Sequence, residues 1–238
     1  MIPIKDINPT RTFPFFTVSL IVVNCLVFFL QLGHGLEESV LSYGAIPYFF
    51  FRPQAESAVY LELPHRYTQF WGARRIEVEK PKPGGFGSIL TSMFMHGDLF
   101  HLLFNMLFLW VFGNNIEDRF GHFKFIIFYL VCGVGAAFAH AVFNPDSLIP
   151  MVGASGAISG VMGAYLLLFP QVPILTLIPL FFFFQLVRVP AFIFIGIWFL
   201  IQLLSIGSPA NVAFLAHVGG FVVGLLLTRS FLKKWLAA

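Results

Sequence analysis

Apolar residues in this chain gather in long runs rather than at strand or amphipathic-helix intervals. Phe15 to Leu32, Leu99 to Ile116, Phe123 to Phe143, Ser155 to Phe169 and Val212 to Leu232 are the clearest of them. A helix needs about 20 mostly apolar residues to cross a hydrocarbon core of about 30 Å. These runs therefore predict membrane-spanning helices. A further stretch, "QVPILTLIPLFFFFQLVRVPAFIFIGIWFLIQLL", is too long for one span and is interrupted by Arg188 and Pro190. Either Ile174 to Leu186 lies at the interface and one helix runs from Pro190 to Leu204, or both halves cross.

Charge separates these two readings. With a cytoplasmic amino terminus and six spans, the inner side receives Lys5, Arg11, Arg119, Lys124, Arg188, Arg229, Lys233 and Lys234, while the outer loops Asn144–Pro150 and Gly207–Asn211 hold no Lys or Arg. That asymmetry is what the positive-inside rule requires. Proline is well tolerated in the first turn of a helix, so Pro190 suits the start of the fifth span. The polar segment from Gly33 to Gly87 becomes a long first external loop. Its "LPHRYTQFWGARRIEV" piece reads equally as an interfacial amphipathic element or as an ordinary soluble loop.

Composition agrees with this architecture: 58% of the 238 residues are hydrophobic and 11% charged, far from the soluble norm of roughly a quarter charged. The reading is an all-α integral membrane protein, one domain over residues 1–238, with six spans near 15–32, 99–116, 123–143, 155–169, 190–204 and 212–232 and both termini cytoplasmic. A net charge of +3 with scattered basic residues excludes a nucleic-acid footprint. Cys25 and Cys132 lie in apolar runs, where a disulfide framework has no role. The amino-terminal "MIPIKDINPTRTFPFF" shows no signal-peptide cleavage pattern, so the first run is expected to be retained.

Polar side chains in hydrocarbon cost a few kcal/mol each, about 3 for a charged one at the centre of a span, which makes each a functional candidate. "MHGDLFHLLFNMLFLWVFGNNIED" supplies His96, Asp98, His101, Asn105 and Glu117, "GASGAISG" supplies Ser155 and Ser159, and "AHVGGFVVG" supplies His217. Asp98 suits the N-cap of its helix, and His101 and Asn105 then share one face. Gly156 with Gly160, and Gly220 with Gly224, form small-residue faces at four-residue spacing that let two helices approach closely. Under the six-span topology His101, Asn105, Ser155 and His217 lie within the first two turns of helices entering from outside, at one depth on the order of 10 Å below the surface. His96 and Glu117 are expected to be structural, Glu117 with Arg119 at the inner end of the second span. His34, His65 and His122 are expected to be solvated.

A serine hydroxyl becomes a useful nucleophile when a histidine takes its proton. Ser155 and His217 fit those roles, as a dyad, since no carboxylate lies near His217 in its own helix; Asp98 and Asp146 are the acids that could complete a triad. Asn105, the Ser155 N–H and His101, with Gly153 in support, are candidates to stabilise an oxyanion. Taken singly, Ser155 suits helix packing and His217 a structural hydrogen bond. Their coincidence at one level carries the argument.

These three motifs, in order and spacing, resemble the rhomboid family of intramembrane serine proteases. The resemblance covers roughly Met95 to Leu227. It implies Ser155 as nucleophile, His217 as base, His101 and Asn105 at the oxyanion site, Gly220 and Gly224 packing the last helix on the fourth, and no metal or organic cofactor. Substrates would be single-pass membrane proteins cut near or within the bilayer. Ser159 stands where some members carry an aromatic that stacks on the histidine, so the orientation of His217 must come from elsewhere. The tryptophan-arginine element of the first loop can be matched only to Trp71 and Arg74. A catalytically silent binder of transmembrane helices and a small-solute transporter are the alternative functions.

Overall fold

Peptide groups in a segment without water are satisfied by the helix's own hydrogen-bond ladder, and each of the five clearest apolar runs is a helix. The computed structural model describes residues 1–52, 54–62, 75–180, 183–208 and 212–236. The major helices are α1 (Phe15–His34), α5 (Leu99–Phe120), α6 (His122–Phe143), α7 (Ser155–Leu168), α8 (Ala191–Leu204) and α9 (Phe214–Leu236). Three of them, α1, α5 and α6, are long and apolar enough to cross a bilayer, and α7, α8 and α9 are shorter apolar helices over their described parts. Phe29, Phe100, Phe123 and Leu204 stand outward from the bundle, each more than half exposed. Inside, Phe112, Phe128, Tyr129, Tyr165 and Phe194 are buried.

Helix α7 is the axis of the bundle: every residue from Gly156 to Tyr165 is buried. Its 14 residues make a helix of about 21 Å, shorter than a hydrocarbon core of about 30 Å. The connection from Asn144 leads into this helix and is tied to the bundle at its end. Met151 bridges to Ala45, the Gly153 N–H donates to the Ser92 carbonyl at 2.9 Å, and Ala154 is fully buried. Ser155 therefore opens its helix directly after a buried residue.

The fold is mostly helical but not all-α, which corrects the sequence expectation. The ambiguous stretch forms a β-hairpin of β4 (Pro173–Leu180) and β5 (Phe183–Pro190), and β1 (Ile2–Asp6) adds antiparallel to β4, giving the order β1-β4-β5. Pro173 and Pro179 deny this segment a helical ladder, while its Ile, Leu, Thr, Val and Phe residues fit a pleated strand. Pro190 then leads directly into α8. At the seam, Asp6 Oδ2 accepts hydrogen bonds from Tyr165 Oη at 2.8 Å and from Asn115 Nδ2 at 2.5 Å. Burial holds the Asp6 carboxyl above its usual range.

Within the long loop the chain forms α2 (Leu36–Tyr43), α3 (Pro47–Phe51) and a hairpin of β2 (Ala58–Glu62) with β3 (Arg75–Glu79), before α4 (Gly87–Ser92). Ile46, Phe49 and Val78 form a small core there. Residues 75–78 of the aromatic-basic piece thus belong to a strand, whereas its remainder, with His65, Trp71 and Arg74, lies outside the described residues.

Glu117 has partners beyond its own helix, and His122 corrects a further expectation. The buried Glu117 carboxylate accepts from the Phe16 N–H at 2.8 Å, and from the Thr17 N–H and hydroxyl at 2.7 Å each. It caps the start of α1, where a helix dipole favours an anion. His122, far from being simply solvated, places Nδ1 2.6 Å from the same carboxylate.

Candidate active site

Small residues decide how closely α7 and α9 approach. A Cβ added at Gly224 would lie 2.1 Å from the Gly160 carbonyl oxygen, and one at Gly163 would lie 2.6 Å from that of Phe221. On the other flank, α6 packs against the same helix, with Cys132 at Gly160 and Ala136 at Gly156. Side chains projecting from the first turns of α7 and α9 are therefore brought close together.

Ser155 and His217 are brought together there. Ser155 Oγ lies 2.8 Å from His217 Nε2, across 62 residues of sequence. The other ring nitrogen, Nδ1, lies 2.8 Å from Oε1 of Gln202 on α8. Trp198 and Phe214 flank the imidazole, with ring centroids 6.2 and 6.3 Å away. The carboxylates that could have completed a triad are engaged elsewhere: Asp98 caps α5 by accepting from the His101 N–H at 2.8 Å, and Asp146 is ion-paired with Arg52. Ser159 turns its hydroxyl back to the Ser155 carbonyl at 2.6 Å and stays within its own helix.

His101 faces the same space from α5. Gly153 has φ +121°, a backbone region that L side chains rarely adopt, and a Cβ there would lie 2.7 Å from His101 Nε2 and 3.6 Å from Ser155 Oγ. The His101 Nδ1 edge is turned toward the Gly97 N–H, at 3.5 Å, which leaves Nε2 to carry a proton toward Gly153. Asn105 is buried and donates one N–H to the His101 carbonyl at 3.0 Å. The N–H groups of Ser155, Gly156 and Ala157 open α7 and lack intrahelical acceptors. Hydrogen-bond donors thus lie close in the fold to a hydroxyl hydrogen-bonded to an imidazole, a grouping of the kind acyl transfer uses.

His96 stands one layer behind, fully buried, with its ring 5.0 Å from that of His101. Gln31 reads its peptide, accepting from the His96 N–H at 3.0 Å and donating to its carbonyl at 3.2 Å. His140 lies on α6, its Nδ1 buried without a hydrogen-bond partner among the described residues. No cluster of three or more His, Cys, Asp or Glu side chains is placed to hold a metal ion among the described residues. Sequence reasoning missed Gln202 and Trp198. The signal for Gln202 was present, as a lone amide in "AFIFIGIWFLIQLL", an otherwise apolar helix.

A family model described as a rhomboid domain matches residues 83–234. The chain is 40% identical over 83 residues to rhomboid protease GluP of Bacillus subtilis (strain 168), covering 35% of this chain and 16% of that protein. It is 28% identical over 162 residues to rhomboid protease AarA of Providencia stuartii, covering 59% of this chain and 54% of that protein. With rhomboid protein 1, mitochondrial, of Saccharomyces cerevisiae (strain ATCC 204508 / S288c) it shares 31% over 150 residues, 58% of this chain and 40% of that protein. The matched stretch spans little more than half, or less, of these relatives' own length.

Proposed function

The chain belongs to the rhomboid family of membrane proteins, and from that premise we propose that it is an intramembrane serine endopeptidase with a Ser155–His217 dyad. The observation that carries the reading is the 2.8 Å approach of Ser155 Oγ to His217 Nε2 at the start of α7. Ser155 Oγ attacks the scissile carbonyl carbon while its proton passes to His217 Nε2. The oxyanion that forms is held by the Ser155 N–H, the His101 Nε2–H and the second Asn105 N–H; each such donor is worth about 3 to 4 kcal/mol in the transition state. The C–N bond breaks, the leaving amine takes the proton from His217, and the acyl group stays on Ser155. Water then attacks the ester as His217 removes its proton, releasing the acid and restoring the serine.

The substrates are single-pass membrane proteins whose helices unwind near the outer leaflet. The six helices α1 and α5 to α9 all cross, both termini face the cytoplasm, and the site opens outward. Support for this orientation comes from the basic residues gathered at the opposite end. A silent helix binder would need neither the hydroxyl nor the imidazole, and their hydrogen-bonded pairing disfavours that role. The reading is tested with purified, reconstituted protein: Ser155→Ala is expected to abolish cleavage of a transmembrane substrate and labelling by a fluorophosphonate. Undiminished cleavage in Ser155→Ala rules the mechanism out.

A further inference from the structure

Helix α8 is apolar throughout except for Gln202, and a polar side chain in such a helix needs a partner. In its last turn Leu200, Ile201, Leu203 and Leu204 are exposed, while Gln202 is 7% exposed and turned into the bundle. Its Nε2 donates to the Trp198 carbonyl, one turn back, at 3.3 Å, and its Oε1 meets His217 Nδ1 at 2.8 Å.

The amide orientation follows from these neighbours. The Trp198 carbonyl can only accept, so the reversed amide would set two oxygens against each other and lose that hydrogen bond. With Oε1 facing the ring, His217 Nδ1 must be the donor. A neutral imidazole with its proton on Nδ1 has a lone pair on Nε2, the atom that faces Ser155 Oγ. One amide thereby selects the tautomer able to take the serine proton. The titratable groups facing His217 from other helices are His101 on α5 and His140 on α6; neither is a hydrogen-bond partner of its ring.

We propose that Gln202 is the positioning residue for His217, holding it in the Nδ1–H tautomer from a neighbouring helix. This inference rests on the proposed protease reading and deepens it. The Trp198 ring adds a wall beside the imidazole, and Phe199, stacked on Phe221 at 4.3 Å, ties the same turn of α8 to α9.

The test uses the full chain in lipid nanodiscs with 15N-labelled histidine, the His217 signals being assigned by their loss in His217→Ala. Wild type is expected to show Nδ1 protonated and Nε2 unprotonated at neutral pH, and Gln202→Leu to lose that preference. Fluorophosphonate labelling of Ser155 should fall by roughly 100-fold or more in Gln202→Leu, the scale of general-base assistance that a wrong tautomer forfeits. Gln202→Glu, which keeps an acceptor oxygen in place, should restore labelling, with the ascending limb of its pH profile moved to higher pH because a carboxylate favours the imidazolium. An Nε2–H tautomer in wild type, or full-rate labelling in Gln202→Leu, overturns the role of Gln202. The wild-type spectrum decides even if Gln202→Leu does not fold. Failure of wild type to be labelled at all would instead sink the protease reading, while the spectrum still reports on the tautomer.

Discussion

Gly220 faces the backbone of Gly156 so closely that a Cβ on it would stand 2.0 Å from the Gly156 carbonyl oxygen. No rotamer relieves an overlap between a Cβ and a peptide group, so α7 and α9 would have to separate. Gly220→Ala and Gly224→Ala are each expected to lower stability by about 2 kcal/mol or more, at the upper part of the overpacking range. Gly196→Ala in α8, where nothing lies within 4 Å, should be neutral or gain up to about 1 kcal/mol from helix propensity. Thermal unfolding in detergent separates the two outcomes.

Gly153→Ala tests the place of His101. The substitution meets both an unfavourable φ and the His101 Nε2 atom 2.7 Å away, so it displaces the imidazole from the Ser155 side. If His101 is an oxyanion donor, labelling of Ser155 should slow on the order of 100-fold, the scale for losing one such donor. A rate within a factor of about two of wild type would remove His101 from that role.

Glu117→Ala takes away the acceptor for two N–H groups and one hydroxyl at the start of α1. A loss of about 3 to 5 kcal/mol is expected, as when one partner of a buried charged network is deleted. Hydrogen exchange at the Phe16 and Thr17 amides should accelerate first. Glu117→Gln retains an acceptor and should be milder.

Acid should destabilise the protein through His96. Burial, together with the nearby His101, pushes this imidazole down to about 3, whereas a free histidine titrates near 6.5. Its folded value is the lower one, so its contribution is complete above about pH 6.5 and is lost as pH falls toward 3, with a slope of about 1.4 kcal/mol per pH unit for one proton. Unfolding midpoints measured between pH 7 and 4 should decline more steeply in wild type than in His96→Phe, which has nothing to protonate. Equal slopes would mean that His96 carries no such linkage.

The placement of the helices was written in the run lengths, because a segment that must satisfy its peptide groups without water has one local solution. The observed ends of α1, α5, α6 and α7 fall within about four residues of those read from hydropathy, within the usual tolerance for such boundaries. Glycine spacing likewise marked the faces of α7 and α9, since the absence of a side chain is itself the device that permits close approach. The hairpin of β4 and β5 was not legible: prolines exclude a helix there, but a strand is completed only by a partner, and β1 comes from the far end of the chain.

The site divides in the same way. Ser155, His101 and His217 stood out as polar residues in apolar runs, and the motifs ranked them. Which polar atom meets which is fixed by the rotation of each helix about its axis and by how closely its neighbours pack, and neither is a local property. Gln202 looked like an isolated amide until α8 packed beside α9 and set its oxygen against His217 Nδ1. Glu117, read with Arg119 at the inner end of the second span, also accepts from the start of α1, about 100 residues earlier, a partner no local pattern points to. Burial raises the cost of leaving a polar atom alone, so tertiary packing chose these partners where the sequence could only nominate them.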